Sequence, residues 1–514
     1  MLNTSEKILS LEKNIISWYP FEDKSKILCI NVVSKEIIKV LKKATNIVDQ
    51  IDGVDEESKI QDKKYDYVFL YGINKETFKL EEYLKFIQSH LTENGTILIV
   101  GNNKYGLESY NVDVKTDKEE HFYSKKEIEE ELKKNNMIKY KFYYPLPNYK
   151  TPNVIFTDEY LPDQESILRD LTLYNESEIC VLDERKKYIE IIEEEKEFFT
   201  LFANSFFIEI SNKDNGIKFI SFNNSRKEKY RINTIMREDI VYKEINNQEA
   251  KKHFKQIKNN IDILNKLGFN VLDEFKEDKV YSKIMPKEEQ LDKVLIGMYA
   301  NNDKEKAIEL IRKFLKEITD KLLREPQDGT DIFKKYDIEI SEEMKEKLHY
   351  SKYGLYDLIF QNCFYKDNRF YFYDQEWFEE NIPVEFIIYR TIEYLGNSSS
   401  KIDKELLFDE FKIKEFISKF NELEKELQKE IKDEIIWDIH AKNRTTIKNL
   451  YDTQVQYYNL YTLSKDENIQ LKKYTEELEK EKIRLNNELS SIKDSRSWKL
   501  IESLKKFKKT IKLK

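Results

Sequence analysis

Two aspartates and an asparagine carry the clearest chemistry in the chain. From Asp357 to Asp374 the sequence reads DLIFQNCFYKDNRFYFYD. Asn362 follows Asp357 by five residues, and a hydrophobic, aromatic-rich run then ends in Asp374. Phosphoryl transfer from a nucleotide needs this set. One carboxylate accepts the proton of an attacking hydroxyl, while an amide oxygen and a second carboxylate hold magnesium on the phosphates. The spacing fits Asp357 as base and Asn362 and Asp374 on Mg2+, with ATP as donor. A plain hairpin gives the same spacing, because Asp and Asn are common in turns.

Such a set works only if other elements bring a lysine to the phosphates and a glutamate to orient it. IKFISFNNSRKEKYRINTIM predicts a β-hairpin, and DIVYKEI a short strand carrying Lys243. A helix follows, with Ala250, Phe254, Ile257, Ile261 and Leu264 at helical spacing. Asn246 is the expected cap at its start and Gly268 at its end. Lys243 is expected on the ATP phosphates with Glu249, one turn into the helix, as its partner; Glu244 competes for that role. YSKIMPKEEQLDKVL then reads as a strand and a hinge between two lobes. Together these residues resemble a kinase of the aminoglycoside- and lipopolysaccharide-kinase type. The chain departs from that family at three places. Leu355 stands where it has His, the covering turn Asn223-Asn224-Ser225-Arg226 has no glycine, and Gln375-Glu376 follow Asp374.

The 514 residues suggest about two to four domains. A net charge of −9 argues against a general nucleic-acid binder. Three cysteines (Cys29, Cys180 and Cys363) make neither a disulfide framework nor a metal knuckle, so a reducing, cytoplasmic location is expected. The N-terminal residues do not read as a signal peptide, and no apolar run reaches membrane-spanning length.

Residues 26–100 alternate strands and helices, the pattern of a parallel α/β sheet with crossover helices. Strands rich in Ile and Val on both faces suit a covered sheet. With ENGTILIVGNNKYGL, the Pro-Leu-Pro-Asn-Tyr-Lys run and Asp158-Glu159-Tyr160, the region resembles a class I S-adenosylmethionine-dependent methyltransferase. It is more narrowly similar to the methyltransferase-like domains of bacterial surface-polysaccharide clusters. The resemblance implies a Rossmann-like fold, S-adenosylmethionine as cofactor, and Asp49 or Asp52 on its ribose. That family's glycine-rich loop after the first strand is here Asn31-Val32-Val33-Ser34-Lys35. Glycine numbers only 11 in the chain, and the first is Gly53.

Beyond Gly396 there is neither glycine nor proline, which suits long helices. Leu471, Leu478, Leu485 and Ile492 recur every seven residues, with Tyr474, Glu481 and Glu488 at the second seam position. This predicts a coiled coil and a homo-oligomer; an extended solvated helix is the alternative. From Lys499 on, seven lysines and one Glu alternate with Leu500, Ile501, Leu504, Phe507, Ile511 and Leu513. That is a basic amphipathic helix suited to an anionic membrane surface. The Ser-Arg-Ser-Trp-Lys-Leu element before it resembles a tail of bacterial polysaccharide glycosyltransferases.

The expected architecture is a methyltransferase-like domain (1–165), a helical connector (166–197) and a two-lobed α+β kinase-like domain (198–400). A helical region (401–465), a coiled coil (466–494) and a basic tail (495–514) follow. This order resembles the bifunctional kinase–methyltransferases that terminate O-antigen chains. The resemblance implies a cytoplasmic protein of surface-polysaccharide synthesis, peripheral at the inner face of the membrane. Its partners would be a lipid-linked glycan or glycosyltransferases. The competing expectations are an inactive scaffold that recruits glycosyltransferases, and a methyltransferase with an atypical cofactor loop.

Overall fold

The computed structural model describes residues 4–511 apart from 46, 61, 74–78, 112–121, 173–182, 239, 246, 277–278, 284–287, 323–331 and 397–401. It gives the backbone alone at 111, 440–463, 466, 497, 501 and 506–511. Cys180, Asn246 and Leu513 therefore lie outside the described residues, as do the side chains of Ile501, Phe507 and Ile511. The chain forms two compact units, Met1–His440 and Ala441–Lys514.

The first unit begins with β1 (Lys26–Ile30), β2 (Ile47–Ile51), β3 (Tyr65–Tyr71) and β4 (Leu91–Asn102). They lie side by side in the order β2-β1-β3-β4, all parallel. Val68, Phe69, Leu70, Ile97, Leu98, Ile99 and Val100 are fully or almost fully buried, as a sheet covered on both faces requires. The sheet continues through β5 (Tyr140–Leu146), β6 (Val154–Thr157) and β7 (Ser205–Ile210). β7 lies between β4 and β5, antiparallel to both.

A second, antiparallel run is built from β8 (Ile217–Ser221), β9 (Ile232–Arg237) and β10 (Ile240–Ile245). After β11 (Asn270–Val271), β12 (Asp273–Lys276) and β13 (Lys279–Lys283) complete it, in the order β8-β9-β10-β13-β12. The helix Lys251–Lys266 packs Phe254, Ile257 and Ile261 against Ile232 and Val280 of this run. β6 pairs with β8 through Val154↔Ser221 and Ile155↔Ile220, so one 12-stranded sheet crosses the unit.

A helical part follows. Its main helices are Leu291–Ala300, Lys304–Leu322, Val384–Glu393 and Ile417–Ile431. Phe314 packs on Phe360, Phe370 and Phe372, which fixes the hairpin Cys363–Lys366/Arg369–Phe372 against the helix Lys304–Leu322.

Three expected boundaries are corrected. The connector is not a spacer: Ile167, Leu171, Tyr188 and Ile192 are buried in the same core as β1, β3 and β4. β7 falls beyond residue 197 yet belongs to the first sheet, because only there are both its edges paired. The helical core also runs past residue 400, since Leu407, Phe416, Phe420, Leu423 and Leu427 are buried with Phe314 and Phe386.

The helix Glu434–Asp494 starts in the first unit and makes up most of the second, with Arg496–Ile511 after it. Leu471, Leu478, Leu485 and Ile492 are exposed along it, as are Leu500 and Leu504 on the last helix. No helix among the described residues is long and apolar enough to cross a membrane.

Candidate functional site

Lys243 sits on β10, paired across to Thr234 of β9 and Val280 of β13. Strand alternation turns its side chain toward the helical part, where it is 7% exposed. Asp374 ends the segment after Arg369–Phe372, one residue beyond Tyr373, with a left-handed backbone (φ 59°). Asp tolerates that conformation. Here it is fixed by the Asp374 N–H, which donates to Asp273 Oδ2 at 2.8 Å.

The structure brings four expected residues together: Lys243, Asp374, Asp357 and Asn362. Lys243 Nζ is ion-paired with Asp374 Oδ1 and with Glu376 Oε1. Burial alone would lower its pKa; Asp374 and Glu376 outweigh that and raise it. Glu376 is also ion-paired through Oε2 with Arg226 Nη1. Against burial, Arg226 and Lys243 hold the Glu376 carboxyl well below the usual range.

Asp357 is set by the loop after the Tyr350–Ser351 strand. Its Oδ2 accepts the backbone N–H groups of Glu376 and Trp377, both at 3.1 Å. Arg390 Nη2 stands 3.6 Å from Oδ1. Burial pushes the Asp357 carboxyl up to about 7, against the opposing Arg390 and with help from Asp374 and Glu376. A carboxylate poised near neutrality suits a general base. Asn362 Nδ2 donates to the carbonyls of Asp357 (3.2 Å) and Asp374 (3.3 Å), stitching the two loops together. With its nitrogen turned to carbonyls, its oxygen is the end available to a cation.

Glu249, the expected partner of Lys243, is corrected. It lies exposed on a short turn, while Lys243 is buried on two other carboxylates. Glu244 pairs instead with Lys279 at 3.0 Å. The helix Lys251–Lys266 offers His253 to the site, stacked on Trp377 with ring centroids 4.7 Å apart. Asn247 caps the turn that leads into this helix, accepting from the Ala250 N–H at 3.1 Å. Leu355, where the resembled kinases carry His, is fully buried in the helical core.

Glu376, Arg390 and Asp273 escaped the sequence reading. Glu376 had a signal, an acidic residue two positions after Asp374. Arg390 and Asp273 had none, since the site aspartates they meet, Asp357 and Asp374, lie far from them in the chain. Asp273 is pushed up to about 6 by burial, with Ser282 donating to its carboxylate.

Asp374 and Asn362 are the residues of this set that could face a magnesium ion. Among the described residues no three His, Cys, Asp or Glu side chains are grouped to hold a metal. Magnesium bound with a nucleotide asks for less, usually one or two protein oxygens beside phosphate and water. The Asp374 side chain is 39% exposed, so its carboxylate can be reached from solvent.

The cofactor end of the first sheet fits S-adenosylmethionine poorly. The turn after β1 puts Asn31 in the left-handed region (φ 61°), where glycine would be unstrained. The Asn31 amide donates to Tyr83 Oη at 3.0 Å. Val32 is buried and Val33 is 83% exposed, so β-carbons line a turn that must lie bare against a ligand. Asp49 lies mid-strand, accepting from Tyr65 Oη (2.6 Å) and Lys63 Nζ (3.0 Å). Burial opposes ionisation of Asp49, and those two donors reverse it, lowering its pKa. Asp52 follows the carboxyl end of β2 and is exposed.

No protein-family model matches the chain, and no curated protein does. Solved structures similar to it include S-adenosylmethionine-dependent methyltransferases. A possible histamine N-methyltransferase from Thermotoga maritima has 13% identity and a TM-score of 0.24, over 41% of this chain and 92% of its own. A methyltransferase from Archaeoglobus fulgidus has 14% identity and a TM-score of 0.24, over 41% and 95%. A phosphoethanolamine N-methyltransferase from Haemonchus contortus, with bound S-adenosylhomocysteine, has 14% identity and a TM-score of 0.23, over 40% and 53%.

Proposed function

We propose that the protein is a surface-polysaccharide biosynthesis factor whose Lys243–Asp374–Asp357 site transfers a phosphoryl group from Mg·ATP to a glycan hydroxyl. One observation carries this reading: a buried strand lysine meets Asp374 beside a second aspartate held by two backbone N–H groups. Asp374 and Asn362 would hold magnesium, which neutralises phosphate charge when bound. Lys243 binds phosphate in exchange for part of its present pairing. Asp357 takes the proton of the acceptor hydroxyl, its carboxylate oriented by the Glu376 and Trp377 N–H groups. The first sheet serves as a retained methyltransferase-like scaffold, with Asp52 better placed than Asp49 for any residual cofactor contact. The exposed leucines of the long helix pair copies of the chain, and the basic last helix meets an anionic membrane surface near a lipid-linked glycan.

A second reading has support of its own. Lys243 and Arg226 are already neutralised by Asp374 and Glu376, and both ligand turns lack glycine. An inactive scaffold that gathers glycosyltransferases would look the same.

Calorimetry of the purified protein with Mg·ATP and with S-adenosylmethionine separates these readings. ATP binding that requires magnesium and is lost in Asp374→Ala supports phosphoryl transfer. S-adenosylmethionine binding alone moves the claim to methyl transfer. No heat with either leaves the scaffold.

A further inference from the structure

The turn between β8 and β9 sends Arg226 to the Lys243 site, and two of its backbone N–H groups are already bonded elsewhere. The Arg226 N–H donates to Asn223 O at 3.1 Å, and the Lys227 N–H to Ile431 O at 2.8 Å. Asn224 is buried, its Nδ2 donating to Pro152 O (3.0 Å) and Asn153 Oδ1 (2.7 Å). The turn is thus tied down on both sides, and every residue in it carries a β-carbon. With no glycine, the turn lacks the usual device of a backbone free of β-carbons wrapped around phosphate.

A side chain takes its place. The Arg226 guanidinium reaches from the turn to Glu376 Oε2, while Lys243 Nζ holds Glu376 Oε1. One carboxylate therefore spaces two cations, Arg226 and Lys243. The Trp377 ring lies 5.1 Å from the guanidinium carbon, which fixes the plane of the fork. The Arg226 side chain is 22% exposed against 4% for Glu376, so part of it remains in reach of solvent. A guanidinium has five N–H donors in a planar fork, and that geometry matches phosphate oxygens two at a time.

We infer that Arg226 is a phosphate-binding residue which, with Lys243, clasps the polyphosphate of a nucleoside di- or triphosphate in place of a glycine-rich turn. Glu376 keeps the two cations apart and aimed. The inference rests on the nucleotide reading proposed above.

The test is calorimetry of the full chain, wild type beside Arg226→Gln and Arg226→Lys, with Mg·ATP and with adenosine, which has no phosphate. Arg226→Gln is expected to weaken Mg·ATP about tenfold or more and to leave adenosine unchanged. Arg226→Lys should fall between, since an ammonium supplies charge without the fork. Mg·ATP affinity in Arg226→Gln within about twofold of wild type overturns the inference. If Arg226→Gln loses adenosine as well, its fold is damaged and Arg226→Lys decides. Weakened Mg·ATP with intact adenosine then supports the inference, and unchanged Mg·ATP overturns it. Wild-type protein that binds no Mg·ATP removes the nucleotide reading, and this inference with it.

Discussion

Asp357 is the residue whose environment says most. Its carboxyl is raised to about 7 by burial, while an unfolded Asp titrates at about 3.9. Between those values the folded state binds more protons than the unfolded state, so stability falls as pH rises through the window. Relative to Asp357→Asn, the wild type should lose stability from about pH 4 to about pH 7, by at most about 4 kcal/mol. Urea melts of both proteins across that range measure it; parallel curves would refute it. Lys243 makes a second case. Lys243→Met leaves Asp374 and Glu376 beside each other without their shared cation. A loss of about 3 kcal/mol is expected, read as a lower thermal midpoint. Asp357, Asn362, Asp374 and Lys243 were legible because their roles follow from local spacing and strand placement. Glu376 was legible only as an acidic residue close to Asp374, because its pairing with Arg226 spans 150 residues.

Among the elements, the β8–β9 turn is tied to the start of the long helix through Asp433. The Asp433 N–H donates to Ser225 O at 2.8 Å, and the Asp433 carboxylate meets Arg231 (3.2 Å) and Lys7 (2.5 Å). Asp433 also precedes the helix Glu434–Asp494, its Oδ1 accepting from the Ile436 N–H at 3.4 Å. Its side chain is 2% exposed, so Asp433→Ala removes a buried carboxylate from Arg231 and Lys7 and costs about 3 kcal/mol. Faster amide hydrogen exchange over residues 225–231 would check this; unchanged exchange there would contradict it. Most strands and helices were legible from apolar periodicity, β8 to β10 and the helix Lys304–Leu322 among them. Domain edges were not. β7 reads as a short apolar run with no sign of its partners, and its place between β4 and β5 depends on long-range pairing.

For the whole molecule, the exposed leucine row on Glu434–Asp494 sets the expectation for assembly. Apolar side chains repeated every seven residues gain by burial against an equivalent row. Sedimentation of the full chain should give an oligomer, and Leu478→Lys with Leu485→Lys should give a monomer of unchanged helix content. A monomeric wild type would contradict the coiled coil. The central claim concerns the first unit: Mg·ATP binds where Lys243 now meets Asp374. Manganese, a paramagnetic stand-in for magnesium, tests it by electron paramagnetic resonance with ATP present. A protein-bound Mn·ATP signal that disappears in Asp374→Ala and persists in Asp49→Ala is the predicted result. A signal indifferent to Asp374, or none in the wild type, would contradict it.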